Sequence, residues 1–510
     1  MKFNESTRRI DETINYEGAK AYKLDPAVEL YVTAVTSSLS KKFYESGADR
    51  IERIRKLIKE NDPEFVAKLA IYAREEMHLR SIPLVLVAEL AKIHSGDNLI
   101  SKTVERVIQR VDEITELLSY YQLANDREET KKLNKLSKQI QKGISLAFNK
   151  FNEYHFGKYN RKTGVTFKDA LFLTHPKAKN AEQQEIFNKI VNNSLQVPYT
   201  WETQLSELGQ KKFEDDDAKK KAFQEKWQEL IDSKKLGFMS LLRNLRNLLE
   251  SNVTQAHLEK VCQKLSNPEE VKKSKQFPFR FLSAYRMLKE VTSGHVSKVL
   301  NALEEAVKAS VENVKGFDDD TAVVIACDVS GSMETEISPR SVIQNYDIGL
   351  MLGMLMQHKC KNVITGFFGE IWKVVNLPQN NILANVTELR SREGEVGYST
   401  NGYLVIRDLI AKRIIADKVM VFTDNQMWDS TDFGSEEGGH IATEWASYKK
   451  IVPKAKLYLF DLSGYGTTPI STKSGDVYLI AGFSEKVFDV LEAIDNGSSA
   501  VEEIKKSRMA

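Results

Sequence analysis

Two rhythms of apolar residues divide the chain near residue 315. Upstream, apolar positions recur three and four apart with Lys and Glu between them, as in YVTAVTSSL, VAKLAIYAREEM, IPLVLVAELAKI, ISLAFNKFNEY and FPFRFLSAYRMLKEV. That spacing puts them on one helix face, so this half predicts helix after helix. Pro83, Pro176 and Pro278 fall where helices are expected to start, a position that tolerates the missing N–H. No strict period repeats, so a stack of irregular helical repeats is suggested by succession rather than by self-similarity. Residues 202–237 are densely charged and include EDDDAKKK, which predicts an exposed helical hairpin or a mobile insertion.

Downstream, strand-length apolar runs alternate with helical patterns: TAVVIACD, IGLMLGMLMQ, NVITGFFG, LVIRDLIAKRI, DKVMVFTD, TEWASYKKIV, AKLYLFDLS, VFDVLEAID. The alternation predicts an α/β fold, a parallel sheet doubly wound with helices, whose ligand sites lie at the carboxyl ends of the strands. Asp328, Asp424 and Asp461 close three of these strands.

Composition narrows the class without naming it. The length of 510 residues and 42% apolar content allow several cored domains. A formal charge of +2 from 73 basic and 71 acidic residues identifies no partner, so only local clustering is informative. Cys262, Cys327 and Cys360 lack the short pairwise spacing of zinc knuckles or redox dithiols, which points to buried thiols in a reducing cytoplasm. The N-terminus has no signal-like apolar core and no run reaches bilayer length, so a soluble cytoplasmic protein is expected, without membrane insertion.

In TAVVIACDVSGSM a buried strand ends in Asp-x-Ser-x-Ser, converging one carboxylate, Asp328, with the hydroxyls of Ser330 and Ser332. Such oxygen donors suit a hard divalent cation, Mg²⁺ above all, and suit zinc poorly. A nucleophile elbow would need Gly on both sides of its Ser, which VSGSM does not supply, and no histidine lies near the end of a later strand in this half. Thr400 follows in the Gly-rich loop of GYSTNGYLVIRDL, and Asp424 ends the strand in KVMVFTDNQ. In that order the residues resemble the metal-ion-dependent adhesion site (MIDAS) of von Willebrand factor A domains. The resemblance implies that Asp328, Ser330, Ser332 and Thr400 approach the ion directly or through water, that Asp424 holds a water or binds at longer range, and that one position stays open for a partner's carboxylate.

Positive charge gathers between residues 131 and 168, where Glu153 is the single acid. Lys131, Lys135, Lys138 and Lys142 recur at helical spacing, Lys150, Lys158, Arg161, Lys162 and Lys168 follow, and Phe151, Tyr154, Phe156 and Tyr159 interleave them. Cations along a face meet phosphates and aromatic planes meet unstacked bases, so RNA is a natural partner, and a solvated basic face over core aromatics is the alternative. Arg243 and Arg246 in SLLRNLRNLLE form a second group, and Arg280 and Arg286 in FPFRFLSAYRMLK add to it.

KYNRKTGVTFKDALFLTHPKA (158–178), SLLRNLRNL (240–248), PFRFLSAYRMLK (278–289) and an A domain opening with ACDVSGSM and carrying FTDN together resemble the TROVE-module proteins, and specifically the Ro autoantigen family and its bacterial relatives. The resemblance spans nearly the whole chain. It implies an α-solenoid ring of HEAT-like repeats over 1–315, closed by a von Willebrand factor A domain over 316–510. It further implies binding of misfolded noncoding RNA ends in the ring and Y RNA on the outer basic surface, in RNA quality control or stability. Such a protein is a ribonucleoprotein component and not an enzyme, with no DNA preference. A protein partner, such as an exoribonuclease, would meet the A-domain metal site. Lys158, Tyr159, Lys168 and Asp169 match the family's pattern, but Val165, Thr166 and Phe167 replace its Trp-Ser-His, which removes the histidine associated with Y RNA and leaves the identity of the RNA open. The rival reading is a protein-interaction scaffold whose metal grips an acidic partner; an ATPase-associated A domain lacks its phosphate loop.

Overall fold

A computed structural model describes residues 11–37, 42–123, 136–312, 320–337, 341–430, 440–495 and 497–509. Lys131, Lys135 and the expected division at residue 315 lie outside these. The chain forms two compact units that do not follow that division: residues 1–51 with 262–501, and residues 52–261 with 502–510.

The first unit is built on a six-stranded sheet. Its strands are β3 (Ala322–Asp328), β4 (Asn362–Phe368), β5 (Trp372–Val375), β6 (Lys418–Thr423), β7 (Lys456–Asp461) and β9 (Val477–Ala481), in the order β5-β4-β3-β6-β7-β9. All neighbours pair in parallel except β5, an antiparallel edge strand that the sequence pattern does not announce. The central runs read as continuous apolar segments because helices cover both faces; every residue of β6 is buried. The helix Asn345–Lys359 is buried on every side from Asn345 through Gln357. It lies so close to β3 that a Cβ on Gly353 would stand 2.5 Å from the Cys327 sulfur, which makes glycine the residue that fits. Its far side is covered by the helices Pro278–Lys289 and Ile382–Ser391. Arg286 donates to Asp347 at 2.6 Å and is therefore committed to this packing.

The N-terminus also belongs to this unit. β1 (Glu12–Ile14) and β2 (Lys20–Lys23) form a small antiparallel sheet with β8 (Thr467–Thr468), and the helix Pro26–Val35 packs against β9.

The second unit consists of helices packed largely on their sequence neighbours. Pro63–Glu75 contacts Ser81–Ile93 and Leu99–Val107; Lys138–Phe148 contacts Leu99–Val107 and Phe167–Thr174. Arg74 and Glu113, both buried, pair at 2.8 Å, and the second Glu113 oxygen accepts from the N–H groups of Gln109 and Arg110, so the buried charge is fully partnered. The charged stretch is the hairpin Trp201–Gly209 with Asp216–Asp232, held by stacked Trp201 and Trp227 with centroids 6.2 Å apart. The chain's end returns here: Lys68 and Arg106 donate to the carbonyls of Lys505 and Arg508. Pro278 does open a helix and Pro83 stands in a first turn, but Pro176 lies in the connection after Phe167–Thr174; the helix starts held by proline at their first position include Pro26, Pro63 and Pro268.

Candidate functional site

Three adjacent strands, β3, β6 and β7, bring the strand-end aspartates to one edge of the sheet. Asp328, Asp424 and Asp461 are completely buried there. Oδ1 of Asp328 accepts from the Ser330 N–H at 2.9 Å, and its Oδ2 accepts from the Thr423 hydroxyl at 2.6 Å. The hydroxyls of Ser330 and Ser332 lie 3.3 Å apart. Oδ1 of Asp424 accepts from the Gln426 N–H at 3.0 Å, while its buried Oδ2 has no well-formed hydrogen bond; the Ser332 hydroxyl stands beside this carboxylate. Thr400 is buried in the adjoining loop, tied to the cluster's two sides because the Gly331 N–H donates to Tyr398 O at 2.9 Å and the Trp428 N–H to Thr400 O at 3.2 Å. Asn401 braces that loop through Glu370 O and Ser430. Asp328, Ser330, Ser332 and Asp424 thus lie together, with Thr400 in the loop beside them.

The electrostatics leave this cluster incomplete by itself. Burial raises the pKa of both Asp328 and Asp424, and the proximity of Asp328 raises Asp424 further. Among the described residues no lysine or arginine forms an ion pair with either carboxylate. Nor do three or more His, Cys, Asp or Glu side chains meet in a metal-holding group; the cluster is two carboxylates with hydroxyls. An all-oxygen donor set with an orphaned buried carboxylate oxygen fits a hard divalent cation held partly through water. Thr423 and Asn401 were not legible as parts of this site, because each acts on a neighbour that only folding supplies.

Cationic candidates separate into exposed and committed. Lys138, Lys142, Lys158, Arg161 and Lys162 are exposed and Lys168 half-buried, and among the described residues none of them forms an ion pair, although Lys158 lies 5.6 Å over the Tyr159 ring. Lys150 instead donates to the carbonyls of Glu105 and Ile108 at 2.6 Å each, closing the end of the helix Leu99–Val107. Arg243 and Arg246 stand on the exposed side of the helix Phe238–Glu250, Arg246 pairing with Glu250 at 2.7 Å. Arg280, exposed and over the Phe279 ring, belongs to the other unit.

The interleaved aromatics divide in the same way. Phe151 and Phe156 are core, Tyr159 carries the Arg110 guanidinium 4.7 Å from its centroid, and Tyr154 is exposed. Phe167, standing where the family pattern has histidine, is buried against Phe156, and Thr166 and Asp169 cap the helix Phe167–Thr174. Sequence reading missed a groove of about 540 Å³ lined by Tyr154, Val197, Tyr199 and Lys235. Lys235 lies 4.8 Å above the Tyr199 ring, and a Cβ on Gly157 would meet Gln196 O at 2.5 Å, so this glycine permits the approach that forms the wall.

A wound sheet with a carboxylate and hydroxyl cluster at its carboxyl edge, and a helical unit with an exposed basic surface, define a mostly helical protein with an α/β unit. The chain belongs to the TROVE domain family, which matches residues 35–226 and 195–315, and is a member of the TROVE/Ro group. It is similar to telomerase protein component 1 of Mus musculus, 26% identical over 302 residues, and of Rattus norvegicus, 24% identical over 305. Each match covers 44% of this chain and 11% of the relative, so the chain spans about a tenth of the length of these curated relatives. The crystal structure of the Deinococcus radiodurans Ro (RSR) protein superimposes with a TM-score of 0.59 at 18% identity, covering 93% of this chain and 100% of that one, and shows a shared fold.

Proposed function

We propose that this protein is an RNA-binding ribonucleoprotein component that takes structured or misfolded noncoding RNA, Y-like RNA included, in RNA quality control or stability in the cytoplasm. The observation that carries the reading is the exposed basic run of Lys138, Lys142, Lys158, Arg161 and Lys162 in a chain belonging to the TROVE family. A polyanion is the partner that such a surface lacks, and the Tyr154–Tyr199 groove offers aromatic planes to an unstacked base. Phosphates would meet Lys138, Lys142, Lys158, Arg161, Lys162, Lys168 and Arg243; Lys150, Tyr159 and Arg246 act mainly through the protein contacts described. A HEAT-like ring closed by the A domain is the architecture that goes with this role. No reaction is assigned to the chain. Sequencing RNA crosslinked to the purified protein tests the proposal: enrichment of noncoding RNA supports it, and recovery of no RNA above a crosslinked control defeats it.

Asp328, Ser330, Ser332, Thr400 and Asp424 would hold a divalent cation, Mg²⁺ by donor chemistry, which when bound neutralises the two buried carboxylates. The buried Asp424 Oδ2, which has no well-formed hydrogen bond, favours the cation, and a metal-dependent contact for a protein such as an exoribonuclease would depend on that ion. A partner bound equally well in Mg²⁺ and in EDTA would dispose of that contact.

A further inference from the structure

The carboxylate edge is covered by the protein's own N-terminal residues. Asn15 donates from Nδ2 to Met427 O at 2.8 Å, and the Tyr16 N–H donates to Gln426 Oε1 at 3.0 Å, so both anchor on the residues that follow Asp424. Oδ1 of Asn15 accepts from the N–H groups of Glu17 and Ala19, which fixes the turn that carries Glu17. The Tyr44 hydroxyl donates to Glu17 Oε1 and lies within hydrogen-bonding reach of Ser332, beside Asp424. Tyr16 stacks on Tyr44 with centroids 5.3 Å apart, and both rings meet Tyr465 edge-on. Arg50, buried and paired with Glu45 at 2.7 Å, reaches Ser463 O at 2.7 Å on the loop that follows β7. Residues from the loops after β6 and β7 therefore hold the segments 15–19 and 42–50.

We propose that the outward side of the cation cluster is filled by the chain's own Tyr44 hydroxyl and Glu17 carboxylate, so that a bound divalent cation staples the N-terminal segment to the sheet edge. A partner protein's carboxylate would then reach the ion only by displacing Tyr44 and Glu17. The buried Asp424 Oδ2, which has no well-formed hydrogen bond, is the sign that a ligand belongs at this cluster. Glu17 acts as a supporting carboxylate, donating negative charge to the ion through the Tyr44 hydroxyl or after that hydroxyl gives way.

This inference rests on the cation reading above, and the test separates the two. Mn²⁺ is titrated into the full chain by calorimetry, and hydrogen exchange of residues 12–23 is followed with and without Mn²⁺ for the parent, Glu17→Gln, Tyr44→Phe and Asp424→Asn. Mn²⁺ is expected to slow exchange over 12–23 in the parent. In Glu17→Gln binding should persist about tenfold weaker, with that protection lost, and in Asp424→Asn both should vanish. Parent protein that binds Mn²⁺ without any change over 12–23, and a Glu17→Gln variant of unchanged affinity, overturn the staple and leave the cation reading standing. Parent protein that binds no Mn²⁺ overturns both.

Discussion

Neutralising Lys138, Lys142, Lys158 and Arg161 to glutamine should flatten the salt dependence of RNA binding. All four are exposed, and among the described residues none forms an ion pair that its removal would break. Each phosphate neutralised on a single strand contributes about 0.7 to the slope of log affinity against log salt, so four contacts contribute about 3. Between roughly 50 and 200 mM salt the parent should lose on the order of 50- to 100-fold more affinity than the variant. Fluorescence anisotropy of a labelled structured RNA with a single-stranded end, measured across that range, gives the slope directly.

Two controls keep the reasoning sharp. A variant neutralising Lys219, Lys221, Lys272 and Lys273, also exposed, changes net charge by the same amount and should leave the slope near that of the parent. Lys150→Met should lower stability by about 2 kcal/mol through loss of its bonds to Glu105 O and Ile108 O, with the slope unchanged. If the two quadruple variants flatten the slope equally, the effect is one of net charge and the assignment of a basic RNA surface is wrong.

Stacking should behave differently from charge. Tyr154→Ala or Tyr199→Ala is expected to weaken binding by about 1–3 kcal/mol in the same assay with an unaltered slope; equal binding would remove the groove from the RNA path. Burial depresses Lys42 from its ordinary 10.5 to about 7, aided by Arg50 and opposed by Asp461, Asp424 and Glu45. Between pH 7 and 10.5 the unfolded chain therefore binds more protons at this group than the folded one, so its penalty is full below 7 and fades as pH rises. Lys42→Met should stabilise the protein in urea titrations near pH 6.5, by at most about 5 kcal/mol, and have little effect near pH 10. Equal destabilisation at both values would mean that its attraction to the aspartates outweighs desolvation.

Much of the sheet was legible because buried parallel strands read as uninterrupted apolar runs ending in chemistry-bearing residues. TAVVIACD, DKVMVFTD and AKLYLFDLS became the adjacent strands β3, β6 and β7, which set Asp328 and Asp424 at one edge of the sheet. β5 and β8 escaped because they are short and their pairing is decided across space. The basic run could not be sorted from sequence, since a lysine bound to carbonyls and a lysine in water have the same spacing. Lys150 and Lys142, eight positions apart, differ only in which helix end happens to lie beneath. Tyr44 and Glu17 carry no motif at all; Glu17 is placed by the Asn15 turn, and Tyr44 by its ring contacts with Tyr16 and Tyr465.

The change of rhythm near residue 315 marks a change of secondary structure, not a boundary of stability. A fragment of residues 316–510 would lose the helix Pro278–Lys289, which covers Asn345–Lys359, together with Val296–Ala309, which packs on Ile382–Ser391. Asn345–Lys359 is buried from Asn345 through Gln357 and has no polar face to turn toward water. Its cut surface would be a contiguous apolar patch of the kind that drives association. The fragment would also lack β2, the partner of β8, and the Asn15 and Tyr16 anchors at the carboxylate edge. Expressed alone it should aggregate or melt far below the full chain, whereas a fusion of residues 1–51 to 262–501 through a flexible linker should remain monomeric and retain the near-ultraviolet signature of packed Tyr16, Tyr44 and Tyr465. A monomeric 316–510 fragment with a sharp, undiminished melting transition would show that the sequence boundary is also the energetic one.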